Sequence, residues 1–572
     1  MWVLKMANNK RLNSRERANF HTCKTLLNCY IREFCSKDSS LFTVNQNKKT
    51  YSLYFPASDA TISGVLSFYS EMGEHEYEYY DVNDDRELHY AYLVQLIVKE
   101  LKHDNPTITD KRSIDFLTKV NNSYHKLALF LNQSANQHKW NYVTSEQSLV
   151  YGHPFHPFPK NTEGFTEEEV IQFCPELHTS FQLCYLAVRK DVFQEEWVSK
   201  ERKIELHESV EAHVQHVLKG KRDDYNILPI HPWQYEHVKT LKEVKDYIDQ
   251  GKMTPLGRFG PMAYPTSSVR TVFIPEMNCN IKLSLNIQIT NMMRNNNREQ
   301  MRRTLDATNY ILERNCFQNE VHTTIAYEVG VCTCQFADDD VTKLFTIVYR
   351  PIEFDETSTY VLSSLVESPV EGGPSRLGSM IDHRTIEQWF IRYLEISLLP
   401  IVRLAEEKGI HFEAHLQNSL LTIKDGMPHV FIIRDLEGVS VNREKVEEDV
   451  NTTGPLFYSK EAAWARTSYY FIVNHLGSFI HAIAKDTKVD EKYFWAIVRR
   501  VLTQEYENNE NEYVRHLLTT QTFAAKKNMM SCLIGQSETP SYIPVNNVMK
   551  KLGSEMYGNA KLSVSRKVII HE

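Results

Sequence analysis

Ten consecutive residues, Ile281-Lys-Leu-Ser-Leu-Asn-Ile-Gln-Ile-Thr290, alternate without interruption between apolar and polar. Ile281, Leu283, Leu285, Ile287 and Ile289 fall on one side; Lys282, Ser284, Asn286, Gln288 and Thr290 fall on the other. A period of two predicts a β-strand with one buried face. The second face carries an ammonium and neutral hydrogen-bonding groups, with no carboxylate. The segment before it adds Ser267, Ser268, Arg270 and Thr271, and the strand's exit adds Arg294. Donors and three cations without negative charge suit a polyanion such as a triphosphate or a polycarboxylic acid. The loop 275–280 is short enough for 267–274 and 281–290 to pair as an antiparallel hairpin. Whether Arg270 and Lys282 share a face depends on the register. An edge hairpin with a solvated face is the competing reading; the missing acids weaken it, because solvated faces mix signs.

At 572 residues the chain exceeds one core, so two or three packed units are expected. A net charge of -8 argues against a general nucleic-acid binder, while leaving room for a local basic pocket. No run is long enough to span a bilayer, and the first residues lack the apolar core of a signal peptide. The ten cysteines form no C-x-x-C pair and read as buried, reduced thiols, which places the chain in the cytoplasm.

Periodicity predicts helices over 15–34, 87–101 and 113–137, with strands at 51–56 and 76–82. Strand-like segments then dominate: 179–188, 226–230, 267–274, 281–290 and 344–349. The polar stretch 355–378 reads as a boundary or a lid. Beyond 380 the chain is mainly helical, over 385–408, 461–485 and 491–507. One hairpin interrupts it, 419–423 and 430–433 around a Lys-Asp-Gly turn. The class is α+β, a strand-rich centre between helical flanks, divided at 1–140, 141–380 and 381–572.

Three constellations can carry chemistry. In Gly152-His-Pro-Phe-His-Pro-Phe-Pro-Lys160, three prolines forbid a helix and present His153, His156 and Lys160 on a stiff loop. Anion contact and a rigid connector whose histidines cap backbone groups fit equally well; metal ligation fits less, for want of further ligands. The second is the opening stretch. The third is His411-Phe-Glu-Ala-His-Leu-Gln-Asn-Ser419, followed across the hairpin by Arg434-Asp435. There Glu413, His415 and Gln417 share one side if extended. Asn418 and Asp435 are placed like the pair that holds magnesium on phosphates in kinase-like sites. The plainer reading pairs Asp435 with Arg434 or has it cap the turn. His231-Pro-Trp-Gln234 reads as a strand-ending turn, His475 as a satisfied core histidine, and Thr166 as the cap of an acidic first helical turn. Walker, Rossmann, G-x-S-x-G and H-E-x-x-H motifs do not occur.

Taken in order, these blocks resemble the IucA/IucC family, the NRPS-independent siderophore synthetases. The resemblance rests on the His-Pro loop, His231-Pro-Trp-Gln234, Thr266-Ser-Ser-Val-Arg-Thr271, Lys282, Arg294, Glu413-Ala-His-Leu-Gln-Asn418 and Arg434-Asp435. Asn474-His-Leu-Gly477 and Ala524-Ala-Lys-Lys-Asn528 extend it. It implies a hand-like fold of thumb, fingers and palm, and often a homodimer. It also implies an ATP- and magnesium-dependent ligase that adenylates a carboxylate and passes the acyl group to an amine or hydroxyl. Carried onto this chain, Ser268, Arg270, Thr271 and Lys282 hold the ATP phosphates, and His156 approaches them. Thr290, Arg294 and His415 bind the polycarboxylate. Glu413, Gln417, Asn418 and Asp435 complete the nucleotide end, with Asn418 and Asp435 toward Mg2+. Arg294 bridges the two anions, and His415 orients the intermediate or assists proton removal. The His-Pro-Phe-His-Pro-x-x-Lys form resembles the branch that starts from free citrate, although Arg is lacking in 161–164. The implied partners are citrate or a similar polycarboxylate and an amine, amino-acid or amino-alcohol acceptor, with neither nucleic acid nor membrane. A siderophore-binding or ferric-siderophore-reducing protein is the alternative, suggested by the helical C-terminal third, and a metallohydrolase at the histidine loop is a further one.

Overall fold

The computed structural model describes residues 12–35, 38–82, 86–133, 140–370, 372–382, 384–448, 451–536 and 541–555. The first helix, Ser14–Phe34, starts at a capping box between Asn13 and Glu16. It buries Leu26, Leu27 and Tyr30 against helices Tyr90–Asp104 and Asp110–Gln133. Beside them stands an antiparallel meander of five strands, Phe42–Asn45, Thr50–Phe55, Ala60–Phe68, Glu76–Val82 and Arg86–Glu87. The sequence reading lacks three of these strands, Phe42–Asn45, Ala60–Phe68 and Arg86–Glu87. In Ala60–Phe68 the alternation is disguised by Gly64, where a Cβ would stand 2.2 Å from the Tyr79 carbonyl oxygen.

The centre is an eight-stranded sheet in the order Phe193–Trp197, Gly330–Cys334, Ile347–Pro351, Cys279–Lys282, Thr271–Ile274, Met253–Pro265, Phe181–Arg189 and Tyr225–Ile230. All seven neighbouring pairs run antiparallel. Met253–Pro265, with its prolines and the positive-φ Gly257 and Gly260, carries no readable alternation. The expected hairpin forms, with Thr271 opposite Lys282 and Val272 opposite Ile281. The expected ten-residue strand does not. It breaks after Lys282 and resumes as Leu285–Ile289 in a separate three-stranded sheet with Met292–Arg294 and Thr162–Glu163. Side chains replace the ladder at the break. Ser284 Oγ reaches the Lys343 and Thr346 carbonyls (2.6 and 2.9 Å), and the Asn286 N–H donates to Gln234 Oε1 at 2.8 Å. The face expected to be open near Lys282 and Ser284 is buried, at 3% and 2% exposure.

In the C-terminal part, Ser419–Lys424 and Met427–Ile433 form the expected hairpin, with Asp425 and Gly426 both at positive φ (52° and 75°). Thr323–Ile325 and Thr359–Val361, from before residue 380, complete its four-stranded sheet. The stretch expected as a loop or lid therefore contributes to the core from Thr359 onward. Val361, Leu362 and Leu365 are fully buried there, in the strand and the helix Leu362–Val366 that follows it. Helix Ile386–Glu407 packs on the sheet. The expected helix 461–485 is a run of Lys460–Thr467, a π-helical stretch Ser468–Leu476 and Gly477–Thr487. Helix Asn528–Ile534 returns to the first helix, where Glu33 accepts from the Met529 and Met530 N–H groups at 2.7 and 3.1 Å.

Smaller expectations resolve as follows. Thr166 caps the acidic turn through a capping box with Glu169. His231 does not end in a turn: it caps helix Pro232–Val238, accepting from the Trp233 N–H at 3.1 Å. All ten cysteines are buried and none is in a disulfide, and no described helix is long and apolar enough to cross a membrane.

Candidate active site

A cavity of about 1400 Å³ is lined by residues from the first helix and its meander, from the central sheet and from the C-terminal sheet and helices. Ser268, Arg270, Thr271, Lys282, Thr290, Arg294, Glu413, His415, Gln417, Asn418 and Asp435 all line it, so segments far apart in sequence converge there. His156 does not line it. Its Nδ1 accepts from the Phe158 N–H at 3.2 Å, and its Nε2 lies 3.4 Å from Asn291 Oδ1 and 3.7 Å from Cys532 Sγ. The histidine of that loop facing the cavity is His153, whose Nδ1 accepts from the Phe155 N–H at 3.0 Å. Both rings thus cap backbone, and Lys160, at the cavity wall, is held in a buried pair with Glu176 at 2.8 Å.

The strand Met253–Pro265 ends in a tight loop that turns straight into Thr271–Ile274. Thr266 N–H donates to Thr271 O, and the Thr271 N–H donates to Ser268 Oγ at 3.1 Å. Within it Val269 sits at φ 65°, a left-handed conformation that a β-branched residue adopts only under strain. Ser267 is fixed by Glu146 Oε2 through its N–H (3.1 Å) and its hydroxyl (2.8 Å), and Gln417 Nε2 reaches the same hydroxyl at 3.2 Å. Arg270 holds the other wall, donating to Asn296 Oδ1 (2.5 Å) and to the Arg294 and Asn295 carbonyls.

Lys282 is the most enclosed cation. Its Nζ lies 2.8 Å from Asp435 Oδ1, 3.1 Å from Glu437 Oε2 and 4.0 Å from Glu328 Oε1. The strand face without a carboxylate in sequence therefore meets three of them in space. Burial opposes both charges; Asp435 in turn holds the ammonium protonated, and Lys282, then Arg350, hold the Asp435 carboxyl well below the usual range. The expected Asp435–Arg434 pair does not form, because Arg434 turns to the buried carboxylate of Glu146.

Arg294 is a different kind of cation. Its Nη2 donates to the Ile289 carbonyl at 3.3 Å, its Nε is buried without a partner, and among the described residues no carboxylate lies within 4.0 Å of it. Burial, then the neighbouring Arg270, pull its pKa down to about 10. Thr290 stands beside it at φ 57°, with its N–H on the Asn161 carbonyl. His415 caps the short turn Leu416–Asn418, its Nδ1 accepting from the Asn418 N–H at 3.3 Å. Burial lowers its pKa to about 4, so the neutral ring carries its proton on Nε2 and offers the cavity a donor. Glu413 pairs with Arg466 at 3.3 Å, and Asn418 Nδ2 donates to the Glu413 carbonyl at 3.2 Å. Gly438 is required here, since a Cβ would stand 2.5 Å from that of Glu413.

The sequence reading lacks Glu146, Glu328, Arg350 and Asn296. Glu328 is fully buried, binding Arg350 at 2.7 Å and accepting from the Leu436 N–H at 3.0 Å, which sets the turn at Asp435. Glu328 and Arg350 are lone charges among apolar residues, and Glu146 and Asn296 sit in polar runs where nothing distinguishes them, so only burial marks each one.

Comparison with known proteins places this constellation. A model described as the IucA / IucC family matches residues 141–366, and one described as a ferric iron reductase FhuF-like transporter matches 387–540. A relative from Staphylococcus aureus named L-2,3-diaminopropanoate–citrate ligase is 33% identical over 93% of this chain and 96% of its own. A spermidine-citrate ligase of Bacillus anthracis is 25% identical, over 91% and 94%. In fold, the ATP-bound aerobactin synthetase IucA of Klebsiella pneumoniae superposes with TM-score 0.83 at 20% identity, over 94% of this chain and all of that one. The petrobactin biosynthesis protein AsbB of Bacillus anthracis gives 0.80 at 17%, over 96% and 97%. The chain belongs to the IucA/IucC family of siderophore synthetases. The second model covers the segment behind the reductase alternative, but the sequence holds one cysteine beyond residue 400, Cys532, and not the clustered thiols such a reductase needs.

Proposed function

We propose that this chain is an ATP-dependent siderophore synthetase. It adenylates a carboxylate of citrate and condenses the acyl group with an amine or hydroxyl of a second substrate. In the first half-reaction a citrate oxygen attacks the α-phosphorus of ATP and pyrophosphate leaves. In the second, the acceptor attacks the acyl carbon, the bond to AMP breaks, and the acceptor loses one proton to solvent.

The observation that carries this reading is Arg294, a cavity cation with no acid of its own, standing beside the strained Ser268–Thr271 loop. Two anions must meet before an adenylate forms, and fixed cations offset their repulsion and the charge that develops at phosphorus. The Ser268 and Thr271 hydroxyls, with Arg270 and Lys282, supply the phosphate side; Arg294, Thr290 and the Nε2–H of His415 supply the carboxylate side. The citrate ligases among the relatives support the substrate class. Asn418 and Asp435 fit a magnesium ion bound mostly by phosphate and water, because they offer one amide oxygen and one carboxylate rather than a closed cage. When bound, the ion would neutralise phosphate charge. Mass spectrometry of products from ATP, citrate and a mixed amine pool tests the reaction: a citryl conjugate with AMP supports it, and ADP or a conjugate without citrate overturns it.

A further inference from the structure

The carboxylate wall is held from outside the cavity. Thr290 sits at φ 57°, a conformation that a β-branched residue keeps only where its surroundings over-determine it. One residue grips it from both sides. The Thr290 N–H donates to the Asn161 carbonyl at 2.8 Å, and Asn161 Nδ2 donates to the Thr290 carbonyl, also at 2.8 Å. Asn161 is fully buried, and its Nδ2 donates to Glu163 Oε1 as well, at 2.9 Å. Both neighbours are acceptors, so the amide meets them through its NH2 group and leaves its Oδ1 buried without a partner. An unpaired buried oxygen is costly. The side chain is therefore oriented by what it holds, at the expense of its own hydrogen bonding.

Asn161 is anchored in turn. Its N–H donates to the Phe158 carbonyl at 3.1 Å, at the end of the proline-stiffened loop, and strand Thr162–Glu163 then pairs with Leu285–Ile289. Gly164 permits the close approach: it sits at φ 116°, and a Cβ there would stand 2.8 Å from Ile287 Cγ2. The consequence runs forward along the chain. Thr290 and Asn291 turn strand Leu285–Ile289 into Met292–Arg294, with Ile289 opposite Met292 and Gln288 opposite Met293. Arg294 Nη2 donates back to the Ile289 carbonyl, one peptide before Thr290, at 3.3 Å. Relaxing Thr290 to negative φ swings the chain after it, and with it the strand that carries Arg294. We infer, resting on the proposed reading of the site, that Asn161 is a positioning residue, which locks Thr290 left-handed and so sets Thr290 and Arg294 for the carboxylate substrate. Asn161 does not line the cavity, so it acts through those two residues and touches no substrate.

The test is ATP–pyrophosphate exchange with citrate and ATP varied separately. Asn161→Ala keeps the carbonyl that receives the Thr290 N–H and removes the side-chain donor. It should raise the citrate KM about tenfold, the size of one lost hydrogen bond, and leave the ATP KM within about twofold. Thr290→Gly supplies a second readout, because glycine occupies positive φ without strain. That variant gives up a wall hydroxyl and sets its own reference. Adding Asn161→Ala to it should raise the citrate KM by less than about threefold more, so that the two changes fail to add. Exchange at saturating citrate reports folding, and Asn161→Ser, read the same way, serves if Asn161→Ala does not fold. An unchanged citrate KM, equal rises in both KM values, or full additivity overturns the inference while leaving adenylation standing. A wild-type chain without citrate-dependent exchange overturns the proposed function and the inference with it.

Discussion

Lys282 Nζ stands 2.8 Å from Asp435 Oδ1, so one buried ammonium ties the central sheet to the turn that follows the C-terminal hairpin. The contact joins two parts of the fold inside the cavity, and it makes the site a structural joint as well. Removing the ammonium leaves Asp435, Glu437 and Glu328 facing one another. Lys282→Met should therefore cost about 3–5 kcal/mol of folding stability. Asp435→Asn leaves Lys282 with two acids and should cost less, about 1–3 kcal/mol. Urea unfolding of the two variants checks the order; Asp435→Asn proving the more damaging would contradict it.

Arg294 should behave in the opposite way. Among the described residues no carboxylate lies within 4.0 Å of it, so Arg294→Ala should leave stability within about 1 kcal/mol of the parent. Its loss should lower citrate-dependent pyrophosphate exchange by about 100- to 1000-fold, more completely than Lys282→Ala does. Equal losses in exchange would tell against separate carboxylate and phosphate roles.

His481 supplies a pH signature. It is 3% exposed between Glu76 and Glu491, and although burial disfavours its charge, Glu74, Glu491 and Glu76 raise its pKa to about 9. A folded pKa above the unfolded value of about 6.5 stabilises fully below that value, and the contribution fades as pH rises through 9. The shift corresponds to about 3 kcal/mol. Unfolding free energy measured from pH 6 to 10 should fall across that window, and His481→Gln should flatten the fall. An unchanged slope in the variant would refute the assignment.

Gln234 tests the broken strand. It is fully buried, accepting from the Asn286 N–H at 2.8 Å and donating to the Leu344 carbonyl at 3.0 Å. Gln234→Leu leaves two backbone groups unpaired and should cost about 2–4 kcal/mol. A variant with parental stability in denaturant titration would show that the ladder can close without it.

The same residue shows what the sequence could not disclose. Alternation from Ile281 to Thr290 predicts a strand correctly in type, but period two says nothing about a neighbour's glutamine and serine taking over the ladder's hydrogen bonds after Lys282. The hairpin at Asp425-Gly426 was readable because its turn needs two positive φ values. Gly64 and the prolines of Met253–Pro265 hid strands by interrupting side-chain alternation. For the site, the motif residues were legible as cations and donors. Their partners Glu146 and Glu328 were not, because one acid in a polar run and one among apolar residues carry no pattern until folding buries them. His156 and His153 sit three residues apart on one rigid loop, and only the backbone path decides which one meets the cavity.

The most direct measurement is ATP–pyrophosphate exchange by the purified chain with a panel of carboxylic acids and no acceptor. Exchange that requires citrate, and collapses in Arg294→Ala, is the expected result. Exchange supported by another acid and not by citrate would contradict the assignment of the Thr290, Arg294 and His415 wall to citrate.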